Sequence, residues 1–350
     1  MKTFSSTITV LLLSFSAFVM SACSKSEETN DGGAIDCVSN LTALGIPSGN
    51  YSGICCVSSN RYAVTDDMAY GAGFVYMDLS INPSTGEVVK ASRDVPPGTG
   101  MDWYEGKEYE YKKNNDSEAI IYHPSTKTLF VAGEWDSRIR EYTFEGKPTG
   151  RELEIPQQFD MGHIVEAFGF ESLAYSQATG LFWTTTEKPL LADAKEGYVR
   201  LQSFTEDLKP AKQYLYRADA PVGKCEMADD NDYLGVVEMV ALDDGRLIIL
   251  EREIFLSTQI PTDSFVRNCI YTVNPSTAAP GQMLTKTLLR EFTTHMNVSK
   301  TPKFANYEGM CLGPTLDNGK QTLLLISDSQ RGEGGYGANL QDYVKVISID

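Results

Sequence analysis

The sequence predicts an all-β fold, a β-propeller of five or six four-stranded blades, on three observations. The chain after residue 36 consists of short segments rich in β-branched and aromatic residues, such as TLFVAGE, LFWTTTE and RLIILER, separated by turn sequences such as LDDG. No long segment has helical periodicity. One hairpin pattern also recurs, and four-stranded units that recur every ~40–50 residues with insertions are typical of propeller blades. Stacked β-sandwiches are the alternative for an all-β chain.

The recurring hairpin begins and ends with an acidic residue. Glu118 and Glu134 are 16 residues apart in DSEAIIY…LFVAGE, and GFESLAY…LFWTTTE repeats that spacing. The spacing is 13 in VEMVAL…LIILE and 20 in YEGMCL…LLLISD, and it is 13 again in SGICCV…YAVTD, where Gly53 replaces the first acid. Five hairpins are therefore visible, and Tyr343–Ile349 is expected to close the ring.

These acids are predicted to gather at one mouth of the central channel. Both ends of an antiparallel hairpin lie at the same edge of a sheet, and the first strand of a propeller blade lines the channel. The predicted set is Glu118, Glu134, Glu171, Glu187, Glu238, Glu251, Glu308 and Asp328, together with Asp66.

Nine clustered carboxylates repel one another unless a cation compensates them. Ca²⁺ is the first expectation because it takes oxygen ligands and needs no histidine, with Mg²⁺ or Mn²⁺ as alternatives. The alternative role is structural. Strand-end glutamates accept hydrogen bonds from backbone amides of the next blade, or they pair with Arg138, Lys188 or Arg252.

Composition narrows the class of partner. The 350 residues include 30 Lys and Arg against 47 Asp and Glu, which gives a formal net charge of −17. A nucleic-acid partner would need a basic face, so none is expected. With only three histidines and no HExxH motif, a zinc site built from histidine is not expected either.

The N-terminus predicts export. Residues 1–22 have the charged start, short apolar run and small residues of a signal peptide, and the position of Cys23 resembles a bacterial lipobox. We expect residues 23–36 to form a lipidated cysteine and flexible tether, and residues 37–350 to form a single propeller domain. The start SKSEE resembles the export tag of surface lipoproteins from Bacteroidetes-type bacteria, with a plain solvated linker as the alternative. The expected location is the outer membrane, and the lipid is the only expected membrane contact.

Six cysteines remain after Cys23, an even number that suggests up to three disulfide bonds in an exported chain. Cys225 with Cys269 is the first pair expected, because the two flank one repeat. Buried free thiols are the alternative. The six are Cys37, Cys55, Cys56, Cys225, Cys269 and Cys311.

Three segments, GFESLAYSQATGLFWTTTEKPL, MVALDDGRLIILERE and NYEGMCLGPTLDNGKQTLLLISDS, are similar to the phytase-like family, which is described as having esterase-like activity of phytase. The similarity spans about residues 45–350. It implies an acid-rich propeller, secreted or lipid-anchored, that hydrolyses phosphate esters. The residues that match the family segments are Glu171, Glu187, Glu251, Arg252, Glu308 and Asp328.

The function predicted is divalent-metal-dependent hydrolysis of a small anionic phosphate ester by a monomer, with Glu171 and Arg252 as the catalytic residues. An ion pair with Glu251 or Glu253 is the alternative role for Arg252. No Lys/Arg-rich cluster suited to phytate is present, and no GxSxG or P-loop motif occurs. His163 is a weaker acid–base candidate. The rival function is a non-enzymatic propeller of the cell envelope that binds a ligand or a protein.

Overall fold

The computed structural model of the protein describes residues 34–69, 72–98, 116–225, 230–296, 304–332 and 340–349. Twenty β-strands and a few single 3-10 turns make up the regular structure of these ranges, which contain no α-helix. None of these described segments is a helix with the length and apolar character that crossing a bilayer requires. The predicted signal peptide, Cys23 and most of the predicted tether lie outside the described residues.

The strands form five antiparallel sheets of four strands, arranged as the blades of a propeller, so the predicted fold is confirmed. Blade 1 contains β2 (Tyr51–Ser58), β3 (Arg61–Asp66), β4 (Phe74–Ile81) and β5 (Val88–Asp94). Blade 2 contains β6 (Ser117–His123), β7 (Thr128–Gly133), β8 (Arg138–Tyr142) and β9 (Pro148–Glu152). Blade 3 contains β10 (Phe170–Ser176), β11 (Leu181–Thr186), β12 (Val199–Phe204) and β13 (Pro210–Tyr216). Blade 4 contains β14 (Asn231–Ala241), β15 (Leu247–Leu256), β16 (Phe265–Val273) and β17 (Lys286–His295).

Blade 5 closes the ring by joining the two ends of the described chain. Its strands are β18 (Asn306–Leu312), β19 (Gln321–Asp328), β20 (Tyr343–Ile349) and β1 (Asp36–Asn40). The sequence predicts closure by Tyr343–Ile349. The structure places that strand third in the blade, and β1 pairs with it antiparallel as the outermost strand, with Cys37 opposite Val346.

Apolar side chains on both faces of each sheet pack against the two neighbouring blades. Between blades 2 and 3, Phe130, Phe170 and Phe182 are fully buried, and the ring centroids of Phe130 and Phe182 are 4.9 Å apart. Truncating a buried phenylalanine costs about 3–5 kcal/mol. Packing between blades therefore stabilises the ring and fixes how the inner strands surround the axis.

Each inner strand has a β-bulge near its start. In β6, Ser117 pairs with Gly133 and Ala119 with Ala132, which leaves Glu118 as the extra residue. The same irregularity occurs in the inner strands of the other four blades. A bulge redirects the extra side chain, here toward the channel.

The two ends of the channel differ. At the opposite end from the bulges, tight turns such as residues 124–127 and 177–180 join the first two strands of the blades. A cavity of about 200 Å³ lies in the channel at this end. It is lined by three consecutive residues from each inner strand, at positions 54–56, 120–122, 173–175, 239–241 and 310–312.

All six cysteines that follow Cys23 are free thiols, so the predicted bond between Cys225 and Cys269 is not formed. Cys269 is buried in the middle of β16, between Glu251 and Glu291 of the adjacent strands, whereas Cys225 lies exposed on the connection that precedes β14. The sheet therefore keeps the Cys269 thiol away from the surface loop.

Candidate functional site

The strand register defines two rows of side chains at the channel mouth, one residue from each blade in each row. The first row is the bulged position of the inner strand: Ser52, Glu118, Glu171, Val237 and Glu308. The second row follows or ends the second strand: Asp67, Glu134, Glu187, Arg252 and Asp328. The backbone N–H of Asp67, Glu134 and Glu187 each donates to the residue before the inner strand, at 2.8–3.1 Å, which confirms that these three positions are equivalent.

Six of the predicted acids lie in these rows, but the predicted residues in blades 1 and 4 are one position out of register. Blade 1 contributes Asp67 where the sequence indicates Asp66, and blade 4 contributes Arg252 where it indicates Glu251. In the inner strand of blade 4, the bulged residue is Val237 and the predicted Glu238 comes next. A shift of one residue in a strand turns a side chain to the opposite face, so the correction changes which residues meet.

Glu251 faces blade 3 and is not at the channel mouth. Its carboxylate accepts hydrogen bonds from Lys286 Nζ at 2.6 Å and the backbone N–H of Asp219 at 2.9 Å, and from the Tyr216 hydroxyl. These contacts tie β15 to the outer strands and leave Glu251 outside the channel. Glu238 lies deeper in the channel, below the two rows.

The tightest group of carboxylates lies at the seam between blades 1 and 2. Asp67, Asp116 and Glu118 each offer one oxygen, and these three atoms lie within 4.8 Å of one another. Asp116 precedes β6 with a φ of 51°, a left-handed turn that brings its side chain beside the bulged Glu118. The Ser52 hydroxyl donates to Glu118 across the seam. The sequence prediction missed both Asp67 and Asp116.

Two neutral oxygens in the same region have no hydrogen-bond partner within the part of the chain that the structure describes. They are Asn50 Oδ1 and Ser117 Oγ, on residues that are 8% and 0% exposed. The backbone carbonyl of Asn50 accepts from the Asp67 N–H at 3.1 Å, and Ser117 lies between Asp116 and Glu118 in sequence. Buried polar atoms are usually paired, so unpaired oxygens on the segments that carry these carboxylates fit a cation site.

Burial and mutual repulsion raise the pKa values of the mouth acids. Burial is the larger cause for Asp67 and Glu118, whose pKa values lie well above the usual range, and neighbouring carboxylates add to it. Burial raises the pKa of Asp116 to about 6, and burial with the nearby Asp116 carboxylate raises that of Glu134 to about 8. Burial and the surrounding glutamates also raise the pKa of Glu171. A cation would favour the charged form of each.

Arg252 supplies a cation of the protein's own on the other side of the axis. Its guanidinium donates from Nη2 to Glu187 at 2.7 Å, and from Nη1 to Glu308 at 2.7 Å and Asn306 Oδ1 at 2.9 Å. Burial alone would lower the pKa of Arg252, but these carboxylates raise it, so the group is a permanent cation. Its partners come from blades 3 and 5. They are not the Glu251 or Glu253 that the sequence suggests.

The phytase-like family, described as having esterase-like activity of phytase, matches residues 46–330 of the chain. The chain belongs to the phytase-like family. No curated protein matches it.

Solved structures with a similar arrangement of strands are remote in sequence. The calcium-binding protein regucalcin from Agrobacterium tumefaciens is 11% identical, with a TM-score of 0.43 over 87% of this chain and 91% of that one. A thermostable family-43 glycoside hydrolase is 12% identical, with a TM-score of 0.42 over 87% and 91% of the two chains. A protein of unknown function from Bacteroides thetaiotaomicron is 7% identical, with a TM-score of 0.40 over 91% and 76%. Likenesses at this level carry no inference about activity.

Some acids of this phytase-like chain also brace neighbouring blades. Glu134 Oε1 accepts the backbone N–H of Gly169 in blade 3 at 2.8 Å. The Glu187 side chain lies so close to Gly235 of blade 4 that a Cβ there would come within 2.3 Å of it. The structural role that the sequence leaves open for these glutamates is therefore present, alongside the cluster at the seam.

The remaining candidates from the sequence, His163 and Lys188, lie at the rim of the channel mouth. His163 is half exposed, and its Nδ1 lies 2.6 Å from Asp160 Oδ1, at the surface of the loop before β10. The Lys188 ammonium lies 3.6 Å from the centroid of the Phe168 ring, and burial lowers its pKa. Residues 99–115, which include the tyrosine-rich sequence DWYEGKEYEY, and residues 333–339, which include most of the glycine-rich sequence GEGGYGAN, lie outside the described residues.

Proposed function

We propose that this phytase-like propeller binds Ca²⁺ at its channel mouth and hydrolyses small phosphate esters there. The observation that carries the proposal is the convergence of Asp67, Asp116 and Glu118 within 4.8 Å at the seam between blades 1 and 2. The family's description as having esterase-like activity of phytase supports the reaction class.

The donor set fits a hard divalent cation. Ca²⁺ takes about six to eight oxygen ligands from carboxylates, amide carbonyls, hydroxyls and water. Asp67, Asp116 and Glu118 supply the carboxylates, and Asn50 Oδ1 and Ser117 Oγ are the nearby neutral oxygens. Such a cation would supply Lewis-acid stabilisation of the negative charge that develops on phosphoryl oxygens.

The proposed role of Arg252 is to orient the anionic group of the substrate. In a ring of five, blade 4 lies across the axis from the seam between blades 1 and 2, so Arg252 faces the carboxylate cluster. Its Nη atoms are held by Glu187 and Glu308, while its Nε has no partner among the described residues. The single guanidinium charge suits one phosphoryl group better than a polyphosphate, which supports a small monoester as the substrate class.

The proposed role of Glu171 is to transfer a proton. It occupies the bulged position of blade 3, between the Arg252 side of the mouth and the seam cluster, with Glu118 and Glu187 among the charges that act on it. Its raised pKa suits a carboxyl group that takes a proton from the attacking water and returns it to the leaving alcohol. A phosphate monoester and water would thus yield an alcohol and phosphate.

Release of p-nitrophenol from p-nitrophenyl phosphate tests the proposal, with and without EDTA. We expect turnover that EDTA abolishes and Ca²⁺ restores, and a Tm that Ca²⁺ raises by several degrees. Glu118→Gln should lose the Ca²⁺-dependent rise in Tm and at least about a hundredfold of the activity, because it removes a ligand. Glu171→Gln should keep the rise in Tm and lose the activity.

Glu251→Gln is the matched control, because the sequence places Glu251 in the same set and the structure places it against Lys286. It should keep the response to Ca²⁺ and the turnover. The proposal fails if the purified protein binds no Ca²⁺ and releases no product from a panel of phosphate esters.

The same experiment separates the rival function, a ligand- or protein-binding propeller without catalysis. Extensive pairing of Arg252 with Glu187 and Glu308 favours that rival, because bracing alone explains such contacts. Ca²⁺ binding without turnover would support it. In both cases we propose an exported monomer attached to the outer membrane through a lipid on Cys23, with no nucleic-acid partner.

A further inference from the structure

A single carboxylate lies on the axis of the propeller, below the mouth. Glu238 follows the bulge of β14 and is 1% exposed. In the other four blades the equivalent residue is small, and at both glycines the backbone of a neighbouring inner strand lies where a Cβ would be. Those residues are Gly53, Ala119, Ser172 and Gly309.

The Glu238 carboxylate accepts hydrogen bonds from main-chain N–H groups of three blades. Its Oε1 lies 3.2 Å from the N–H nitrogen of Leu173 in blade 3 and 2.9 Å from that of Met239 in blade 4. The N–H of Met310 in blade 5 is the third donor.

These three donors belong to a five-membered set. Ile54 and Ile120 occupy the equivalent position in blades 1 and 2. On an inner strand, alternate residues bond to the second strand, and the residues between them direct N–H and C=O toward the channel. Because Leu173, Met239 and Met310 direct their N–H groups inward, the shared register directs those of Ile54 and Ile120 inward as well.

The immediate surroundings of Glu238 hold amides and apolar side chains. No lysine, arginine or histidine of the described residues acts on its carboxylate strongly enough to shift its pKa. Burial raises that pKa, and the three N–H groups oppose the rise. Converging main-chain N–H groups form anion sites in proteins because each carries a partial positive charge.

We propose that the five inner strands form an anion-binding ring of main-chain amides at the waist of the channel, and that Glu238 is its tethered ligand. The ring suits a small monovalent anion such as formate, bromide or the Glu238 carboxylate itself. Filled by Glu238, the ring also separates the acidic mouth from the 200 Å³ cavity at the other end of the channel. This inference does not depend on the proposed catalysis.

Replacing the carboxylate and then supplying a free one tests the proposal. Glu238→Ala gives the position the side chain that Ala119 has in blade 2, and it should lower the Tm. Sodium formate should then raise the Tm of this variant by about 3 °C or more relative to sodium benzoate at equal ionic strength, because benzoate is too large for the waist. Bromide should occupy the same position in a crystal of the variant.

Leu250→Ala is the matched control, since Leu250 pairs with Glu238 across the sheet and is fully buried. It creates a cavity without removing a ligand from the ring, so formate should not stabilise it, and formate should not stabilise the wild type. The proposal is overturned if formate acts equally on all three proteins.

Glu238→Gln tests the proposed anion-binding ring if Glu238→Ala does not fold. The amide keeps the size of the side chain but loses the charge, so the variant should have a lower Tm than the wild type at pH 8 and should not respond to formate. A glutamine variant as stable as the wild type would show that the ring holds a neutral group, and the proposal would be wrong.

Discussion

Blade 4 and the other four blades share one strand register and differ in the charge that they bring to the channel mouth. At the bulged position, three blades contribute glutamate and blade 1 contributes Ser52, whereas blade 4 contributes Val237. At the end of the second strand, four blades contribute an acid and blade 4 contributes Arg252. Blade 4 therefore supplies the guanidinium group that pairs with acids of blades 3 and 5.

The difference shows that the mouth has two halves. On the blade 4 side, Arg252 compensates Glu187 and Glu308 internally. Across the axis, the carboxylates of Asp67, Asp116 and Glu118 converge within 4.8 Å of one another. The proposed Ca²⁺ would compensate these three carboxylates, whereas Arg252 compensates the acids of the other half.

Blade 4 also differs in length. Its strands have 9 to 11 residues, against 5 to 8 elsewhere. The additional residues precede β14 position 236 and follow β15 position 252, so they extend the blade beyond the mouth. Blade 4 therefore forms a wall on the Arg252 side of the entrance.

Removing the blade 4 cation should produce the largest effect. Arg252→Met leaves two buried carboxylates without their partner, and breaking a buried ion pair costs about 3–5 kcal/mol. We expect that loss in the free energy of unfolding measured with urea, together with tighter Ca²⁺ binding, because the mouth loses a positive charge.

Arg246→Met is the control, since Arg246 is 44% exposed and pairs with Asp244 at the surface. Exposed pairs contribute about 0–1 kcal/mol. Similar small losses of unfolding free energy in the two variants would show that the buried Arg252 pairs stabilise the fold no more than an exposed pair does.

The pH dependence of stability should separate the two halves next. The folded-state pKa values of Asp116 and Glu134 are raised to about 6 and about 8, above the ordinary values of 3.8 and 4.5. A raised pKa in an acid means that the folded state holds its proton more tightly, so stability falls as pH rises through this window. In EDTA, the Tm should fall by roughly 5 °C between pH 5 and pH 9.

Saturating Ca²⁺ should flatten that decline, because it favours the charged carboxylates. Arg252 stays charged throughout and favours the charged form of Glu308, although burial raises the pKa of that carboxyl group. A Tm that rises between pH 5 and pH 9 in EDTA would contradict the assignment of raised pKa values to the mouth.

The smallest effect should come from the blade 1 exception. The Ser52 hydroxyl donates to the Glu118 carboxylate, and a hydrogen bond to a charged group contributes about 1.5–3 kcal/mol. Ser52→Ala should therefore lower the free energy of unfolding by about 1–2 kcal/mol at pH 8, where Glu118 carries more charge. Ser58→Ala, at an exposed position of the same strand, should change it by less than about 0.5 kcal/mol. Equal values would show that Ser52 does not support the cluster.

Much of this arrangement could be predicted from the sequence, because the composition of the strands and the recurring hairpin are visible in the sequence itself. The spacings of 16 and 20 residues place Glu118, Glu134, Glu171, Glu187, Glu308 and Asp328 in the correct rows. The five blades follow from the same repeat.

In the two hairpins with a spacing of 13, the sequence pattern selects residues one position away from those in the two rows, because a bulge adds a residue that periodicity alone does not show. With Ser52 and Asp67, and with Val237 and Arg252, both spacings become 15, close to the others. The short spacing of 13 is therefore itself an indication that the acids in these two hairpins are not the equivalent residues. Asp116 left no such signal, since its contribution depends on a left-handed turn before β6. Nor does the sequence reveal that the Glu238 carboxylate accepts main-chain hydrogen bonds from Leu173 and Met239.

The pairing of β1 with β20 constrains the order in which the blades can fold. Residues 36–40 find their partners at 343–347, so the first strand to leave the ribosome is among the last to be hydrogen-bonded. Contacts this distant in sequence slow folding, because a long loop must close before they form. Until β20 has been made, β1 has no partner strand and the fifth blade is incomplete, which leaves these strand edges open to pairing with other chains.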